Sequence, residues 1–191
     1  MTDLPLEQPI EIRQHYSTPF PSFKIEKEGE PFAFAEGNYF SLAPTYTLYD
    51  TESRPIAKLE GRFFAWGTAG DLFDEKGELI GRFEENIFRI LPWAEYRLFS
   101  KEGPLLATAQ MNLFGTEFEV FTPSGLLLAS LSRPFCRFYR DVWSLTAHVP
   151  LDPRLLILLA VLQTDVDNRN RFWGDWKEAF IQKISSFESL P

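Results

Sequence analysis

One pattern recurs along this chain at intervals of 22 to 26 residues: an apolar residue, a short polar turn, and a seven-residue stretch of alternating character. Its five copies begin at Ile25 (IEKEG), Tyr49 (YDTES), Phe73 (FDEKG), Phe99 (FSKEG) and Phe121 (FTPSG), and four of them end on glycine. Asp, Ser or Thr opening a turn, with Gly where the backbone needs a positive φ, is the chemistry of a tight hairpin connection. Each copy therefore reads as strand, turn, strand. A chain made of one repeated unit must stack the units side by side to bury their apolar faces.

Counted from the turn Gly, or from Ser53 in the second copy, the returning stretches EPFAFAE, RPIAKLE, ELIGRFE, PLLATAQ and LLLASLS align without a gap. Alternate residues of a strand share a face. The second, fourth and sixth positions then form one set: Pro31, Ala33, Ala35; Pro55, Ala57, Leu59; Leu79, Gly81, Phe83; Leu105, Ala107, Ala109; Leu127, Ala129, Leu131. This face is apolar with a small residue at its centre. The opposite face starts apolar and turns polar, as in Ile56, Lys58, Glu60, and is the expected outer side. A column of Ala33, Ala57, Gly81, Ala107 and Ala129 suits close sheet packing in a sandwich. It also suits a closed sheet of roughly ten to twelve strands, whose interior is wider than their side chains fill.

The segment after the last strand-like stretch, Val142 to Val149, bears on this choice. Asp152 suits an N-cap and Pro153 the first helical position. Leu155 to Leu162 has no polar side, and a helix apolar all round must be buried on all sides. Eight apolar residues are too few to cross a bilayer, which takes about 20. A helix of roughly 18 Å, at about 1.5 Å per residue, matches a barrel lumen.

The hairpins with FD-x-x-G turns, followed by an acidic residue and a short apolar helix ending in Asp (Asp152 to Asp165), resemble the tubby-like superfamily. That superfamily comprises the LURP-one-related proteins and the phospholipid scramblases. The likeness covers about residues 20 to 167. Asp141-Val-Trp143 … Pro150-Leu-Asp152 is also similar to the scramblase stretch preceding the central helix, though two residues longer between the aromatic and the Pro. The resemblance implies a closed antiparallel barrel of about twelve strands around a central apolar C-terminal helix. The expected organisation is an N-terminal arm (1–19), the barrel with its helix (20–167) and an amphipathic tail (168–191).

In that tail Phe172, Trp173, Trp176, Phe180, Ile181, Ile184 and Phe187 recur every three or four residues, with Lys177, Glu178 and Lys183 between them. The spacing predicts an amphipathic helix. It would serve as a strap over the barrel, or as a docking or interfacial membrane helix with its Trp and Phe at the headgroups.

Composition narrows the chemistry. A net charge of −8 and a pI near 4.9 repel phosphate backbones and anionic lipid, so nucleic acid is not an expected partner. The single cysteine, Cys136, forms no internal disulfide and fits a reducing, cytoplasmic compartment. Met1 to Ile10 has neither a basic start nor an apolar stretch and does not read as a signal peptide. His15 and His148 lie far apart in sequence, so histidine chemistry would require the fold to join them. Asp165-Val-Asp167-Asn168-Arg169-Asn170 starts like a calcium loop but places Asn170 where Gly is needed and Trp176 where Glu is needed. Scramblases carry a calcium-binding acidic segment; here Pro153 and Arg154 follow Asp152, which speaks against calcium dependence. No metal or other cofactor is expected.

Arg133, Arg137 and Arg140 form the one local basic cluster. Tubby proteins bind phosphoinositide head groups through basic residues, so the resemblance makes these three arginines candidates for lipid-phosphate binding. Arg133 and Arg137 would share a strand face while Arg140 points the other way. No catalytic constellation accompanies these features. The expectation is a non-enzymatic binding or scaffold module, cytoplasmic or peripheral at a membrane. It would hold a protein partner through the barrel surface and the aromatic residues Phe172, Trp173, Trp176 and Phe180. The alternative is a peripheral membrane protein that binds or moves phospholipid.

Overall fold

The computed structural model describes residues 9–15, 20–38, 44–62, 69–85, 95–112, 116–133, 142–148 and 152–165. Twelve strands follow in chain order: β1 (Ile10–His15), β2 (Ser22–Lys27), β3 (Glu30–Asn38), β4 (Thr45–Asp50), β5 (Pro55–Gly61) and β6 (Ala69–Asp74), then β7 (Leu79–Glu85), β8 (Glu95–Ser100), β9 (Leu105–Met111), β10 (Glu117–Phe121), β11 (Leu127–Ser132) and β12 (Val142–Ala147). Each pairs antiparallel with its chain neighbours, and β1 pairs with β12, so the sheet is a closed barrel. The sandwich alternative is thereby set aside. Strand β1 lies within residues 1–19, set apart from sequence as an arm, yet it closes the barrel with Ile10 and Ile12 fully buried.

Four of the five repeat turns share one geometry. The N–H of Asp50, Asp74, Ser100 and Thr122 donates to the carbonyl four residues on, and the fourth turn residue donates back to the carbonyl of the first. That fourth residue has positive φ: Ser53 at 63°, Gly77 at 78°, Gly103 at 103° and Gly125 at 85°. This is the three-residue hairpin loop ending on a left-handed residue. The first copy differs. Its loop is Glu28-Gly29, both at positive φ (52° and 82°), a two-residue connection.

That one-residue difference decides what each anchor residue does. In the first copy Ile25 is buried inside the barrel. In the others the inward residue stands one position earlier, at Leu48, Leu72, Leu98 and Val120, all buried. Alternation then turns Tyr49, Phe73, Phe99 and Phe121 to the outside, where they are half-buried.

The inner-face prediction holds at the fourth and sixth positions and fails at the second. Ala33, Ala57, Ala107 and Ala129 are at most 4% exposed, and Ala35, Leu59, Phe83, Ala109 and Leu131 are buried behind them. Pro31, Pro55 and Leu105 are instead exposed, and Leu79 and Leu127 half-exposed. The cause is a β-bulge in every hairpin: the register slips by one residue at Ile25/Glu26, Leu48/Tyr49, Leu72/Phe73, Leu98/Phe99 and Val120/Phe121. An extra residue on the returning strand reverses the alternation there. The third residues, Phe32, Ile56, Ile80, Leu106 and Leu128, consequently pack against the core. In the last four copies the second residue pairs across the hairpin with the outward aromatic, in Tyr49–Pro55, Phe73–Leu79, Phe99–Leu105 and Phe121–Leu127, whereas Pro31 pairs with Glu26.

The helix α1 (residues 153–165) occupies the lumen. Leu155 to Leu162 are each 5% exposed or less and share one hydrophobic cluster with the inward strand residues. Its start is built as the residues imply: Asp152 Oδ1 accepts from the Arg154 N–H at 3.0 Å, capping the first turn behind Pro153. At Gly81 a Cβ would sit 2.9 Å from Leu155 Cδ2, so the helix rests on the glycine of the small-residue column. No helix among the described residues is long and apolar enough to cross a membrane.

Candidate binding surface

With α1 inside, the chemistry left for recognition lies at the two barrel ends and on the outer wall. At the turn end Arg154 ties the start of α1 to the wall. Its guanidinium pairs with Asp152 (2.8 Å) and Glu75 (3.1 Å) and donates to the Ile56 carbonyl at 3.4 Å. The hydrogen bonds it donates to Asp152 raise its pKa further above the usual arginine value. Asp50 and Asp74, which open two of the turns, accept backbone N–H groups two and four residues on, at 2.8–2.9 Å. Those backbone donors hold both carboxyls below the ordinary aspartate value. Ser100 breaks the pattern: the residue four on is Pro104, which has no N–H, and Ser100 Oγ is buried without a partner.

At the opposite end the strands deliver an inward aromatic layer. Phe23 meets Tyr46 edge to face at 6.4 Å, and Tyr96 meets Phe83 and Phe118 at 6.1 and 6.0 Å. The last helical turn brings Gln163, Thr164 and Asp165 here, all buried. The Tyr46 hydroxyl donates to Asp165 Oδ2, and Thr164 Oγ1 donates to the Ala160 carbonyl at 2.8 Å.

The predicted site residues fare unevenly. Arg133 stands eight residues after its turn glycine, where the first two copies have Gly37 and Gly61, each eight residues after Gly29 and Ser53. It is 7% exposed, with its guanidinium 4.4 Å over the ring of the buried Trp143. In this position its guanidinium is largely withdrawn from water and stacked on an aromatic face. Arg137 and Arg140, Cys136, and the tail residues Phe172, Trp173, Trp176 and Phe180 with the expected tail helix lie outside the described residues. His15 and His148 are not brought together: His15 ends β1 beside Ser22, whereas His148 Nε2 is 3.4 Å from Ser130 Oγ after β12. Among the described residues no group of three or more His, Cys, Asp or Glu could hold a metal ion.

Sequence reasoning missed a groove on the outer wall of β2–β4. It measures about 380 Å³ and is lined by Phe20, Pro21, Ser22, Glu36, Thr47 and Tyr49, among others. Pro21 is drawn in because its carbonyl accepts the Gly37 N–H at 2.7 Å, and a Cβ on Gly37 would meet the proline ring at 2.4 Å. Tyr49 is fixed from the other side by stacking on Phe34 at 4.8 Å and 12°. The legible signal was the outward parity of Phe34, fifth in its returning strand; that of Tyr49 follows only once the turn and its bulge are counted.

A search of solved structures finds a protein of Arabidopsis thaliana, known from an X-ray structure, with a TM-score of 0.59 and 17% identity. The match covers 84% of this chain and 93% of that one. No family model matches the sequence, and no curated protein matches it. At this identity the likeness shows the fold, and the fold this chain shares is the barrel wrapped around its own C-terminal helix.

Proposed function

We propose that the protein is a non-enzymatic binding or scaffold module that holds a protein partner on the barrel exterior, with its aromatic C-terminal segment completing the contact. The observation that carries this reading is the filled lumen. A barrel of this size can house a substrate only if its interior is free, and here α1 takes that space. Recognition is thus left to the outer wall and to the residues after Asp165. The barrel around an apolar helix is also the architecture implied by the resemblance to the tubby-like superfamily, which supports kinship at the level of the fold.

The test is affinity capture with the full chain and with residues 171–191 deleted, followed by reconstitution with the purified partner. The deletion variant should lose the partner while keeping the thermal unfolding transition of the parent. Undiminished partner binding by the deletion variant would overturn the role of the tail. Flotation with phospholipid vesicles and no protein partner at all would replace the scaffold reading by a lipid-binding one.

A further inference from the structure

The groove on β2–β4 has a charge problem that suggests its ligand. Glu36 lines it, is exposed, and lies between Ser22 and Thr47 across the two neighbouring strands. The surrounding lysines are engaged elsewhere: Lys24 pairs with Glu26 at 2.7 Å, and Lys58, beyond Thr47, pairs with Glu60 at 2.5 Å. Arg13, on the far side of Lys24, pairs with Glu26 and Glu11. No cation among the described residues pairs with Glu36, and none lines the groove. Its lining sets Phe20, Pro21 and Tyr49, the last stacked on Phe34, beside the polar Ser22, Asn38 and Thr47.

Each class of ligand meets this surface differently. An anion faces a carboxylate that no cation among the described residues neutralises, in a chain already at −8. A purely apolar group would strip water from Glu36 and give nothing back. A planar cation satisfies both features at once, stacking its face on an aromatic ring while its edge donates to the carboxylate. The volume lies near the lower end of ligand pockets, which span about 300–1,000 Å³, and fits one side chain better than a cofactor.

We infer that this groove receives an arginine side chain presented by an extended segment of the partner. The inference rests on the scaffold reading above and deepens it by naming the chemistry of the partner. Arginine is favoured over lysine because the guanidinium is planar, stacks on rings and presents a fork of donors to a carboxylate.

The experiment titrates the full chain, labelled with ¹⁵N, with N-acetyl-arginine amide and separately with N-acetyl-norleucine amide. The arginine probe should give saturable amide shifts confined to Ser22, Glu36, Gly37, Asn38 and Thr47. Glu36→Gln and Tyr49→Leu should each weaken it by about tenfold. Glu119→Gln, an exposed carboxylate on β10, should leave it unchanged. The inference is overturned by an absence of saturable shifts, by equal binding of the norleucine probe, or by equal weakening in Glu119→Gln. If Glu36→Gln leaves capture of the partner intact while deletion of 171–191 abolishes it, the scaffold reading stands and the groove is not its contact.

Discussion

At Gly81 a single missing methyl group decides how barrel and helix fit. The backbone there is ordinary strand, so the glycine is required by proximity: a Cβ would come within 2.9 Å of Leu155 Cδ2 and 3.2 Å of the Phe99 carbonyl. Gly81→Leu should therefore destabilise the fold by about 1–3 kcal/mol through overpacking. Leu155→Ala alone should cost about 2–5 kcal/mol by leaving a cavity. Because the two residues touch, the double variant should be more stable than the sum of the single losses predicts. Urea unfolding followed by tryptophan fluorescence measures all three, and strictly additive losses would mean that the helix does not rest on this strand. The same column shows what was legible at this scale. Ala33, Ala57, Ala107 and Ala129 announced a tight inner layer through composition and alternation alone. Pro31, Pro55 and Leu105 misled because an apolar residue that pairs across the hairpin with an outward residue, Glu26, Tyr49 or Phe99, looks in sequence like one that faces the core.

The hairpin is the element that carries both the regularity and the errors. Turn chemistry was readable because Asp, Ser, Thr and Gly act locally, through side-chain acceptors and positive φ. The bulges were not readable, since they are a property of two strands in register and no single stretch contains the count. Gapless alignment of the returning strands likewise hid the two-residue loop at Glu28-Gly29, which turns Ile25 inward while Phe73 turns out. The groove lined by Tyr49 follows from that parity and was missed with it. The turns also set an acid limit on stability. Asp50 and Asp74 have their carboxyls depressed by backbone donors in the folded state, so the unfolded chain binds protons first as pH falls. Their contribution is complete above the ordinary aspartate value of about 3.9 and is lost as pH drops through their lower folded values. Asp74→Asn should accordingly flatten the decline of the urea midpoint below about pH 4 relative to the parent. An unaltered acid limb would show that the turn carboxylate is not coupled to folding.

For the whole molecule, closure is the property on which everything else depends, and it rests on the strand least visible in sequence. Strand β1 lies outside the five repeats, has no hairpin signature of its own, and pairs with β12 only from Ile10 to Arg13. It nevertheless places Ile10 and Ile12 at 0% exposure. Burying two such side chains is worth about 3–6 kcal/mol, a large share of the 5–15 kcal/mol that holds a typical domain. Removing residues 1–15 deletes that burial and also bares the edges of β2 and β12, each a row of unpaired backbone groups ready to join another chain. The truncated protein should lose its cooperative thermal transition and elute from size-exclusion chromatography as aggregate. A monomer with the parent's unfolding midpoint would mean that ten repeat strands and β12 hold the helix without a closed sheet. The outer wall would then no longer be the sole face open to a ligand, because a barrel open between β2 and β12 exposes one side of α1. The filled lumen excludes an internal ligand only as long as the wall around it is continuous.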